Sequence, residues 1–349
     1  MSFFLLLLAT VAQSGPYEVT LRLPAGGLFA QEEMQIEYRV VDTSRVDPLF
    51  GPAAVIRAQT ASRITMPSMA GMPALTETAH PEGIPGEYGI HPFFPHGGEY
   101  LLTLQITPPA AEAFTVTFPL TVADPNPARR RPPPPFTLEL KASPSSPSAA
   151  RPVKLRFTVR RRDTRQIVKE FELQHERLFH LILVDRELSR FYHEHPTLQS
   201  DGSFLLTHSF LDPGEYHLFA DVAPAGAGGQ VLLTKLQVGG RTPHLMAPPP
   251  PSSLATFPAD PVPAGRTLRL TATLKDPNIE PYLGARGHLI LIHEDAETFV
   301  HCHPDESVPS PADQVPFVAR FPKPGRYQGW AQFQRNGRVE TVRTQFLAQ

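Results

Sequence analysis

A chain of 349 residues exceeds what one hydrophobic core organises, and at about 100 to 150 residues per domain it implies two or three units. Its 41 prolines are roughly double the usual share of about 5%, which excludes a fold built on long helices, because proline fixes φ and removes a backbone donor. With 32 Lys and Arg against 34 Asp and Glu there is no global field to draw in nucleic acid or an anionic membrane surface.

In chain order, Phe3 to Ala12 is apolar but too short to cross a bilayer as a helix, and small and polar residues follow it, the pattern of a secretory signal. Residues 1–15 are therefore expected to be a signal peptide, and the protein to be periplasmic or secreted with no integral membrane segment. Residues 16–123 form the first predicted unit, with β-rich runs at Tyr17 to Leu23, Met34 to Val41 and Tyr100 to Ile106. Within it, Met66, Met69 and Met72 lie in the loop M-P-S-M-A-G-M-P, where Pro67, Gly71 and Pro73 rule out a helix. Thioethers are soft ligands suited to Cu(I); the alternative is an apolar cap over one end of the unit.

Residues 124–135 and 240–253 each hold a four-proline tract and read as linkers, and Arg129 to Arg131 in the first is a solvated charge run. They set off a second unit, 136–239, and a third, 254–349. The second has runs at Phe136 to Leu140, Val153 to Val159 and Tyr216 to Val222, and the third at Leu268 to Leu274, His288 to Ile292 and Tyr327 to Phe333. Short strands punctuated this way predict an all-β chain of three tandem immunoglobulin-like antiparallel β-sandwich domains joined by Pro-rich linkers that hold them apart.

The units repeat one another. HLILVDRELSRFYHEHP, from His180 to Pro196, returns as HLILIHEDAETFVHCHP from His288 to Pro304, 108 residues later without a gap. F-L-D-P-G-E-Y, ending at Tyr216, returns as F-P-K-P-G-R-Y, ending at Tyr327, now 111 residues on; the first unit keeps this tail as F-P-H-G-G-E-Y, ending at Tyr100, with one His-Pro at His80 and Pro81.

His193 and His195 are two apart and face one side of a strand. If the hairpin pairs residues whose numbers add to 375, His180 stands opposite His195 and all three imidazoles share a face, at cross-strand separations suited to one ion. A register adding to 591 does the same for His288, His301 and His303. Three neutral imidazoles suit a zinc site with an open position, or copper. The competing reading is structural: histidines bonded to backbone carbonyls near a sheet edge.

Cys302, the single cysteine, permits no intrachain disulfide, and strand alternation turns it away from its neighbouring histidines toward the core. The sequence His301-Cys302-His303 therefore departs from the multicopper-oxidase pattern, which also needs further histidine pairs. His80, His91 and His96 in the first unit lie near the methionine loop in sequence and could add ligands to it; individually they are expected at surfaces or turns.

The two long motifs resemble the pattern HLIVVSxDLSxFxHxHP of exported bacterial proteins with repeated immunoglobulin-like domains, and the first unit, with its Met-Pro loop, is similar to YtkA-like domains. The resemblance implies a sandwich fold, an envelope location and an association with copper or heavy-metal handling. Asp185 and His293 depart from the serine of that pattern, either adding a ligand or decorating a turn.

The expected function is accordingly non-enzymatic: an exported protein of the cell envelope that binds copper or zinc at two three-histidine clusters, with the metal ion and another envelope protein as partners. The alternative is a structural or adhesive tandem interaction protein whose histidines are structural. A metalloenzyme ranks last, because no G-x-S-x-G, H-E-x-x-H or clearly placed general base is present.

Overall fold

The computed structural model describes residues 10–48, 51–69, 71–126, 133–241, 252–305 and 309–349. All regular structure among them is β, and no helix is long and apolar enough to cross a membrane. The chain falls into two compact units, one built mainly from the first 132 residues and the other from the second and third sandwiches.

In the first sandwich one sheet holds Thr10–Ser14, Tyr17–Arg22, Ile36–Asp47, Gly51–Ala54, His80–Pro81 and Glu87–Ile90. The other holds Leu28–Phe29, Gln59–Thr65, Leu75–Thr78, Gly98–Thr107 and Phe114–Ala123. Alternation builds the core: every second residue from Val116 to Val122 is buried and those between are exposed. Thr10–Ser14, inside the stretch expected to be a signal peptide, is an edge strand paired with Tyr17 to Leu21; the rest of that apolar run, residues 1–9, lies outside the described residues.

The second sandwich sets Phe136–Ser143, Pro152–Arg161, Thr197–Leu198 and Phe204–Ser209 against Phe171–Glu172, Phe179–Asp185, Phe191–Glu194, Gly214–Pro224 and Gln230–Val238. In the third, seven strands form one continuous sheet wrapped around a single core, because Phe299–Pro304 pairs with His288–His293 along most of its length and with Gln314–Arg320 at its end.

The repeated tail motif is architectural. Tyr100, Tyr216 and Tyr327 are buried, and each hydroxyl donates to the carbonyl four residues earlier, at 2.8, 3.0 and 3.0 Å. This is the corner tyrosine of sandwich folds. Each ring packs on the phenylalanine that opens the motif, with centroids 5.1, 4.4 and 4.9 Å apart. Gly325 holds φ +133, and a Cβ there would stand 2.3 Å from the His293 imidazole. Gly325→Ala is expected to cost about 1–3 kcal/mol of stability, read as a lower denaturant midpoint at unchanged slope. Wild-type stability in that variant would remove the account.

The second and third sandwiches are not spaced apart by their proline tract. Phe179–Asp185 and His288–His293 are buried at nearly every position, on both faces. One face serves each sandwich's own core. The other forms a shared cluster in which Ile182, Val184, Leu188 and Phe219 meet Ile290, Ile292, Ala296 and Trp330. Phe191 stacks on Trp330 at 4.7 Å and Phe299 on Phe219 at 5.0 Å. Burial of this size, at about 1.5–3 kcal/mol per large side chain, outweighs the stiffness of a proline linker.

Candidate metal centre

The expected registers are present. Ile182 pairs with His193 and Leu181 with Glu194, numbers adding to 375; Ile290 pairs with His301 and Leu289 with Cys302, adding to 591. Cys302 is buried in the third core, on the side away from the histidines, and burial pushes its thiol well above the ordinary range.

Among the described residues two groups of three histidines result, each with ligand atoms within 4.8 Å of one another. The first is His180, His193 and His195, as expected. His180 Nδ1 stands 3.1 Å from His193 Nε2 and 3.2 Å from His195 Nε2. The second joins His288 and His301 with His175, a residue the strand pattern does not predict. His175 comes from the second sandwich, on the turn preceding Phe179–Asp185, and its ring centre lies 4.6 Å from that of His288. His303 flanks the group, its ring centre 4.7 Å from His175 and 4.9 Å from His301.

The outward nitrogens fix the tautomers. His180 Nε2 donates to the carbonyl of Gln174 at 2.8 Å, and His288 Nε2 to that of Tyr282 at 2.9 Å; a carbonyl only accepts, so both nitrogens carry hydrogen. His193 Nδ1 donates to Gln332 Oε1 at 2.6 Å, and His301 Nδ1 to the Asp221 carboxylate at 2.8 Å. Both of these supports cross between sandwiches. In neutral rings the inward nitrogens then bear lone pairs: His180 Nδ1 faces His193 Nε2 at 3.1 Å, and His288 Nδ1 faces His301 Nε2 at 3.3 Å. Facing acceptors repel unless a proton or a cation lies between them.

A proton is the poorer choice. Burial first, then neighbouring imidazoles, pushes His180 and His195 down to about 3, burial likewise takes His288 to about 3, and His175 and His301 also fall well below the ordinary value. A cation fits: two nitrogens on one tetrahedral zinc, each about 2.0–2.1 Å from it, are about 3.3 Å apart. Carbonyl or carboxylate partners on the far nitrogen are the usual supports of metal-bound histidine.

The other candidates sit elsewhere. Met66 and Met72 pack against the first core and Met69 is exposed, which gives two of the three thioethers the cap role. His80 is buried, 3.1 Å from Glu82 and stacked on His91, rather than at the surface. Asp185 accepts from the amides of Ser189 and Arg190, and His293 accepts from the amide of Asp295, so both organise turns. Sequence reading missed His175, Asp221 and Gln332. The signal for Asp221 was a carboxylate inside the apolar run Leu218 to Val222, which has to find a partner in the core.

A comparison with curated proteins gives no match. Among solved structures, a bacterial ice-binding adhesin is 8% identical with a TM-score of 0.23, covering 96% of this chain and 98% of its own. The Escherichia coli adhesin FdeC is 12% identical, with a TM-score of 0.23 and coverages of 97% and 98%. Escherichia coli alpha-2-macroglobulin is 12% identical with a TM-score of 0.26; the match covers 98% of this chain but 23% of that protein. Scores this low carry no argument about function. A family model described as "Domain of unknown function (DUF8832)" matches residues 136–238 and 255–349, more than half of the chain, so the protein belongs to that family and carries its domain twice.

Proposed function

We propose that this is an exported, non-enzymatic protein of the cell envelope that binds copper or zinc where its second and third sandwiches meet. The observation that carries the reading is the pair of imidazole nitrogens facing each other in each histidine group, His180 with His193 at 3.1 Å and His288 with His301 at 3.3 Å. Export rests on the apolar run at Phe3 to Ala12. The three-imidazole donor sets suit zinc and both copper states. The second reading, a tandem interaction protein with structural histidines, is favoured by the carbonyl bonds of His180 and His288.

Metal analysis after equilibration with zinc or copper separates the two. Stoichiometric binding is expected in the full chain, reduced by one ion in the His193→Ala, His195→Ala double variant. An unchanged stoichiometry in that variant, or protein that takes up neither metal, would sink the reading.

A further inference from the structure

The second and third sandwiches meet as a near-twofold pair. His193 and His301 are equivalent positions in the repeat, 108 residues apart, and Gln332 and Asp221 are equivalent, 111 apart; each histidine reaches the equivalent partner on the opposite sandwich. The stacked pairs obey the same rule, Phe191 on Trp330 and Phe299 on Phe219. So do the turns before the first histidines. Gln174 and Arg177 bond each other's backbone, as Tyr282 and Ala285 do, and the residue after each turn's start, His175 or Leu283, has positive φ, 46° and 50°.

At that position the symmetry breaks in chemistry. His175 offers an imidazole to the third sandwich's histidines, whereas its counterpart Leu283 has no donor atom. The His175 Nε2 atom is buried and has no hydrogen-bond partner. A buried polar atom of this kind is costly unless something binds it, and its ring lies within 5.1 Å, centre to centre, of those of His288, His301 and His303.

We infer that the two metal sites are unlike: His175, His288, His301 and His303 form a closed four-imidazole site, and His180, His193 and His195 form a three-imidazole site that leaves one coordination position for an outside small anion or water. The inference rests on the metal-binding reading and goes further, assigning the three-imidazole site as the one that exchanges ligands and the four-imidazole site as a staple across the sandwiches. Four protein donors close a tetrahedral ion to solvent; three leave it open.

Cobalt(II), visible in its ligand-field spectrum, is the probe for the full chain, and azide the test anion. Wild-type protein is expected to bind two cobalt ions, with azide altering the spectrum of one. In His175→Leu azide should alter both. Leu283→His, which leaves the buried imidazole in place and so guards against a folding defect, should abolish the azide response. One cobalt per chain, or an azide response unmoved by either substitution, overturns the inference and leaves metal binding standing. No cobalt, zinc or copper bound at all overturns the metal reading itself.

Discussion

Zinc added at about a thousandfold excess over its dissociation constant is expected to stabilise the second and third sandwiches by about 4 kcal/mol for each site filled. The two sandwiches should respond as one cooperative unit. His175 crosses into the third sandwich's group, and the supports of His193 and His301 come from Gln332 and Asp221 on the opposite sandwich, so separating the pair weakens both groups. Unfolding of the full chain followed by calorimetry should show one zinc-dependent transition, and Asp221→Asn should weaken metal affinity about 10- to 100-fold by removing the carboxylate behind His301. A zinc-dependent transition that splits in two, or none that moves with zinc, would contradict the shared centre.

Acid should undo the metal-free protein well before it protonates ordinary carboxylates. His180 and His288 are held down to about 3 in the folded state and return to about 6.5 when unfolded, so below pH 6.5 the unfolded chain binds more protons and stability falls as pH drops. Each contributes a slope of about 1.4 kcal/mol per pH unit, ending near pH 3. His175 and His301, also depressed, act in the same direction, and Arg177 faces His180 and His195 and disfavours their charging. Asp221 opposes them: burial pushes it up to about 7, so the folded form gains a proton there that the unfolded form takes only near 3.8, which offsets one histidine. With His195, also held down to about 3, three histidines against one carboxyl leave about 3 kcal/mol per pH unit between pH 6.5 and 4, and His175 and His301 steepen the fall. Denaturation in the presence of a chelator should therefore show the pair collapsing across that interval, and a stability flat from pH 7 to 4.5 would refute the buried neutral cluster.

Much of this was legible in the residues. Proline and turn punctuation announced sandwiches, and the register of each hairpin followed from placing His180 opposite His195 and His288 opposite His303. The partnership of the second and third sandwiches was not read, although its trace lay in HLILV and HLILI. A strand exposed on one face alternates; these runs are apolar on both, because the second face meets the other sandwich. His175 escapes sequence reading because a residue on a turn obeys no strand periodicity, whereas His301 and His303, two apart on one strand, obey it. The methionine loop shows the same limit: a soft-ligand composition did not reveal that Met66 and Met72 turn inward onto the first core.

Carrying both halves of a twofold contact on a single polypeptide has a cost and a freedom. Two identical chains meeting this way would have to alter both histidine groups with every substitution, since each residue appears on either side of the axis. Here the halves are encoded separately, and imidazole at 175 coexists with an isobutyl group at 283. Covalent tandem joining thus lets one histidine group diverge from its twin in composition, something an exchangeable dimer cannot inherit.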